Sequence, residues 1–135
     1  MSDRSRAAKV LTIMMTEVVG STALRRARGD RDADDILGSQ AAIVHDKVTA
    51  FGGRVRKSLG DGFLISFPST VAAVRAAVAI QRALHEHNAA DPQRAVEVRI
   101  GIHYGPGRRA RRRSARAGRA RSRRGSWPRR SAGRS

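Results

Sequence analysis

Residues 54–67 (RVRKSLGDGFLISF) constrain this chain more than any other stretch. Two runs of β-branched, aromatic and aliphatic residues flank Gly60-Asp61-Gly62, and a glycine-rich tip supplies the positive φ of a tight turn. The stretch therefore reads as a β-hairpin. Its tip carries one carboxylate with no side chain on either neighbour, so an ion or a phosphate can approach the backbone closely. Strict alternation places Val55, Lys57 and Leu59 on one face, and Arg54, Arg56 and Ser58 on the other. Lys57 would then share its side with apolar residues, either snorkelling at a sheet edge or meeting a partner. The plain alternative is a solvated lysine beside an ordinary turn aspartate.

The flanking segments give the hairpin a setting. Residues 9–16 (KVLTIMMT) form an apolar run of strand length, as expected of a central strand covered on both faces. Next come Glu17, Val18, Val19 and Gly20, then Ser21 or Thr22 as the cap of a helix through Ala23-Leu24-Arg25-Arg26. A strand, a glycine turn and a helix start leave free N–H groups for an anion. Glu17 at the strand end could hold a cation beside it. Asp30 to Ala50 predicts a second helix with Leu37, Ala41, Val44, Val48 and Phe51 inward, stopped by Gly52-Gly53. A third helix runs from Pro68-Ser69-Thr70 to about His87, with Val71, Val74, Val78, Gln81 and Leu84 as its inward stripe. Asn88 to Pro92 reads as a loop. Residues 96–104 (VEVRIGIHY) alternate with period two, a half-covered strand with Val96, Val98, Ile100 and Ile102 on one face.

The resulting order is the split βαβ arrangement. It predicts an α+β, ferredoxin-like fold: a four-stranded antiparallel sheet with helices on one face, its first and last strands as central neighbours.

Charge divides the chain. All 11 acidic residues precede Arg108, and 13 arginines follow from there with no Asp, Glu or Lys. Removing those 13 from the formal +17 leaves +4 for residues 1–107. The expected organisation is a disordered lead (1–7), one domain (8–107) and a disordered Arg-rich tail (108–135) that cannot bury a core. Absence of cysteine excludes disulfides and thiolate metal sites. No apolar run reaches the length of a membrane span or signal-peptide core, so a cytoplasmic protein without membrane association is expected.

Four blocks, LTIMMTEVVGSTAL, GGRVRKSLGDGFLISF, AVRAAVAIQRAL and VRIGIHYG, occur in an order and at separations that resemble the catalytic domain of class III adenylate and guanylate cyclases. The resemblance covers residues 9–105. It implies conversion of ATP to 3′,5′-cyclic AMP and pyrophosphate with two Mg²⁺ or Mn²⁺ ions. Glu17 stands where the family usually has a metal-ligating aspartate, and Asp61 matches the second such aspartate. Val18 matches a position that lends backbone to an ion. Val19, Gly20, Ser21 and Thr22 match the turn that cradles the triphosphate. Lys57 matches a purine contact that helps select adenine, supplied in trans in a head-to-tail dimer. The implied partners are ATP and a second cyclase domain, in a homodimer or a heterodimer.

Two departures bear on activity. Glu17 is one methylene longer than the family aspartate, and Mg²⁺ demands near-ideal geometry. Beyond Gly107 nothing matches the family's ribose-orienting asparagine or its transition-state arginine, and the tail composition is what a GC-rich gene yields out of frame. Loss of one preorganised transition-state donor costs about 100- to 1,000-fold in rate. The expectation is a truncated domain with weak or no turnover. Two alternatives stay open: a non-catalytic pseudo-cyclase that dimerises, and non-specific nucleic-acid binding through the arginines.

Overall fold

The computed structural model of the chain describes residues 10–107. The expected lead and Arg-rich tail, with the nucleic-acid reading that rests on it, lie outside the described residues. The elements are β1 (Val10–Val18), α1 (Ser21–Arg28), α2 (Asp30–Ala50), β2 (Arg54–Ser58), β3 (Gly62–Phe67), α3 (Thr70–Ala90), a short 3₁₀ turn (Pro92–Arg94) and β4 (Val98–Pro106). The four strands form one sheet in the order β2-β3-β1-β4, and every neighbouring pair is antiparallel. This is the ferredoxin-like α+β arrangement. The first and last strands are neighbours, but among the described residues the central pair is β1 and β3, and β4 lies at an edge.

Alternation along β1 decides which face is covered. Thr12, Met14, Thr16 and Val18 are buried, whereas Leu11, Met15 and Glu17 are exposed. Among the described residues the helices therefore cover one face only, and the expected covering of β1 on both sides does not occur there. Met14, Val18, Ile65, Phe67 and Val98 from the sheet meet Ile36, Leu37, Val44 and Val48 of α2 and Ile80 and Leu84 of α3 in one core. On α1, Arg25 pairs with Asp34 of α2 at 2.8 Å. That carboxylate, by hydrogen bond and charge, holds the guanidinium pKa above its ordinary value.

The third helix turns differently from the expectation. Ala73, Ala76, Ile80 and Leu84 face inward, while Val71, Val74 and Val78 are exposed. Alanines let the helix axis approach the layer beneath more closely than valines would, so the small residues occupy the contact. An apolar groove of about 840 Å³ runs between α3 and β4, lined by residues that include Val78, Ile100 and Ile102. The helix also continues to Ala90, through the first three residues of the loop expected over Asn88 to Pro92. Asn88, near its end, bonds both the N–H and the C=O of Val96 and so aims the chain into β4.

The hairpin forms as expected, with one change that matters. A bulge lies between Val55 and Lys57: Val55 pairs with Ile65, and Lys57 pairs with Leu64. The extra residue, Arg56, shifts the parity of everything after it. Lys57 thus leaves the side of Val55 and lies with Leu64 and Met15 on the uncovered face.

At the tip end, the buried Thr16 hydroxyl accepts a bond of 3.1 Å from the Phe63 N–H. Thr16→Val keeps the shape and orphans that donor, so a stability loss of about 1–3 kcal/mol is expected. Chemical denaturation measures it, and an unchanged midpoint would contradict the role assigned to this bond.

Candidate functional site

Three pieces of chain converge at one end of the uncovered face: the end of β1, the hairpin tip and the start of α1. Register alone brings the first two together. Glu17 pairs with Gly62, the residue after Asp61, on one side and with Arg99 of β4 on the other. Glu17, Asp61 and Arg99 line a pocket of about 280 Å³, together with Met15, Leu59 and Gly101. The larger α3–β4 groove lies elsewhere and is lined by neither carboxylate. Chemistry points to the smaller pocket.

A close backbone approach holds the tip in place. Gly62 is buried, and a Cβ built on it would stand 1.9 Å from the Thr16 carbonyl oxygen. No other residue type fits there. Gly60 supplies the turn with φ of 83°, and the Leu59 N–H closes it onto the Gly62 C=O at 2.8 Å. Asp61 is half-buried between these two glycines.

The start of α1 is uncapped by any side chain. Gly20 is its N-cap, in the left-handed region at φ 73°, and the hydroxyl expected to cap does something else. Ser21 donates to the Asp61 carboxylate oxygen Oδ2 across 40 residues of sequence. The Leu24 N–H bonds the Gly20 C=O at 3.0 Å, and the donors ahead of it at the helix start have no intrahelical acceptor. Such a terminus favours negative charge.

The other expected residues are placed as follows. Val18 points into the core, 3% exposed, so only its backbone faces this end. The Val19 N–H is already bonded to the Glu97 C=O at 2.9 Å, which leaves the anion-facing donors to begin after it. Thr22 is exposed on the first turn of α1. Lys57 is exposed on β2 and does not line the Glu17–Asp61 pocket. Arg99 is the residue that sequence reasoning missed. It reads as one charge in an alternating strand, and only the β1–β4 register sets it beside Glu17.

The donor set suits a hard divalent cation. Glu17 and Asp61 offer carboxylate oxygens from one pocket, and among the described residues no group of three His, Cys, Asp or Glu forms a protein cage. Mg²⁺ is commonly held in this way, by one or two carboxylates with waters and substrate phosphates completing the shell.

Comparison with known proteins gives a consistent picture. No family model matches the chain. A Rhizobium meliloti (strain 1021) protein described as "Putative adenylate cyclase 3" is 31% identical over 107 residues, which span 78% of this chain and 18% of that protein. An adenylate cyclase of Trypanosoma brucei superposes with a TM-score of 0.64 at 25% identity, over 78% of this chain and 60% of that one. The guanylyl cyclase Cya2 gives 0.64 at 25% identity, over 72% and 54%. A bacterial light-regulated adenylyl cyclase gives 0.65 at 24% identity, over 71% and 30%. The chain thus spans under a fifth of the curated relative and between 30% and 60% of these solved chains.

Proposed function

The described residues form a domain of the class III nucleotide cyclase family, and we propose that they carry the metal-binding and polyphosphate-binding half of its nucleotide site. The observation that carries this reading is the convergence of Glu17 and Asp61 in one pocket, beside Arg99 and close to the uncapped start of α1. Glu17 and Asp61 would hold Mg²⁺ or Mn²⁺, with backbone oxygen from Val18 in reach of the same end of β1. When bound, such ions polarise the α-phosphate and lower the pKa of the ribose 3′-hydroxyl. The chain's own groups do the rest. The backbone turn of Gly20, Ser21 and Thr22 receives the triphosphate, since the Val19 N–H is held by Glu97. The guanidinium of Arg99 offsets its negative charge from the β4 side.

Lys57 fits a different task. It stands on the uncovered face and does not line the carboxylate pocket; from there it would meet the purine held by a second chain docked on that face. An ammonium can donate to N1 of adenine, whereas N1 of guanine carries its own proton, so the reading favours ATP. The solved relatives include adenylyl and guanylyl cyclases alike, and their fold does not separate the two.

Turnover is proposed to be weak. The residues that match the family supply metal and phosphate contacts, and none supplies the transition-state donors. A second reading, a non-catalytic dimerisation module, is favoured by Leu11 and Met15, which lie 37% and 51% exposed on the uncovered face. One experiment addresses both. The full chain is incubated with Mn²⁺ and ATP, and bound nucleotide, cyclic AMP and sedimentation are measured together. The expected result is metal-dependent ATP binding with at most a trace of cyclic AMP. Robust turnover lost in Asp61→Ala would overturn the proposed weakness. Self-association without nucleotide binding would replace the first reading with the second.

A further inference from the structure

Ser21 does no capping in this structure, although it opens α1. Its hydroxyl donates to Oδ2 of Asp61, and that side chain has no other hydrogen-bond or ion-pair partner among the described residues. Asp61 stands between Gly60 and Gly62, so neither neighbour has a side chain to pack against it. A carboxylate on such a tip turns freely about its own bonds unless something holds it. Glu17 differs: its backbone is fixed on both sides, by Gly62 and by Arg99.

We infer that Ser21 is a positioning residue for the divalent cation: by binding Oδ2 it orients the Asp61 carboxylate, leaves Oδ1 for the ion, and ties the metal site to the phosphate-receiving start of α1. The inference deepens the reading given above and rests on it. A hydroxyl that donates to a metal-binding carboxylate removes the rotational freedom the ion would otherwise have to quench. Partners of this kind typically contribute about 10- to 100-fold to metal affinity. The same bond spans the two parts of the site. Loss of the hydroxyl should therefore loosen the grip on the ion and weaken the link between metal and polyphosphate binding. Threonine carries the same donor with one methyl more. Alanine at position 21 has no donor, and since Gly20 is the N-cap, no helix cap is lost with it.

The test uses the full chain and Mn²⁺ alone, followed by calorimetry or by the electron paramagnetic resonance signal of free Mn²⁺. Ser21→Ala is expected to weaken Mn²⁺ binding about tenfold, and Ser21→Thr to restore it to within about threefold. In the Asp61→Asn background, Ser21→Ala should have no further effect, because the two act through one carboxylate. The metal-free melting temperature should stay near the parent value, which a purely structural contact would not allow. Unchanged Mn²⁺ affinity in Ser21→Ala, or independent effects of the two substitutions, would overturn the inference while leaving the metal site standing. Absence of Asp61-dependent Mn²⁺ binding in the parent chain would overturn both.

Discussion

Gly62→Ala is expected to lower the melting temperature steeply and to open the candidate site at its base. The added Cβ would stand 1.9 Å from the Thr16 carbonyl oxygen, 2.9 Å from the carbonyl carbon and 3.3 Å from the Glu17 Cα. Every one of these atoms is backbone, so no side chain can swing aside. Relief requires β1 and β3 to separate at the rung where Glu17 meets Gly62. β1 is not free to yield, because β4 pairs with it along its whole length on the other side. Overpacking typically costs about 1–3 kcal/mol and occasionally more, and a backbone collision belongs at the upper end. At about 4–8 °C per kcal/mol for a domain of this size, a loss near 3 kcal/mol lowers the midpoint by about 12–24 °C. Gly101→Ala is the control: it lies in the same sheet, and its added Cβ meets nothing within 4 Å. Its midpoint should move by no more than the equivalent of about 0.5 kcal/mol. Equal melting of the two variants would show that β1 and β3 do not approach so closely.

Asp61→Asn should leave the fold intact and remove the cation. The amide has the carboxylate's shape, and its carbonyl oxygen can still accept from Ser21. The negative charge is lost, and with it half of the carboxylate pair in the pocket. Removing a direct ligand should cost at least as much as removing a partner of one, so a fall of about 100-fold in affinity for Mn²⁺ and for Mn²⁺-ATP is expected. Melting of the metal-free protein should hardly change. Calorimetric titration measures the first and a thermal scan the second. Unchanged Mn²⁺-ATP affinity would remove Asp61 from the site.

Much of this arrangement is visible in the linear chain because local rules carry it. The glycines around Asp61 require a turn whatever surrounds them, and α2 follows its aspartates and its three-four spacing over the range read from sequence. The order of elements then leaves few topologies. Errors arose where a local rule met a packing decision. A hydrophobicity pattern cannot say whether α3 buries its valines or its alanines, because both lie on plausible faces. The choice fell to how closely the helix can approach the sheet, and Ala73 and Ala76 won. An apolar β1 reads as covered on both sides, yet Met15 and Leu11 stand exposed, since no second layer lies over that face in the described residues.

The candidate site divides in the same way. Sequence alone determined its parts: a carboxylate at the end of a strand, a carboxylate on a glycine tip, and a glycine turn before a helix. These depend on short-range chemistry, which the order of residues specifies completely. Only the tertiary structure decided how the parts face one another. The β1–β4 register put Arg99 beside Glu17, and a single bulge at Arg56 carried Lys57 to the uncovered face. The fold also turned Ser21 from a helix cap into the partner of Asp61. Pairing register and bulges are settled by contacts between strands far apart in sequence. A one-residue slip, invisible to any local pattern, reverses the face on which every later side chain stands.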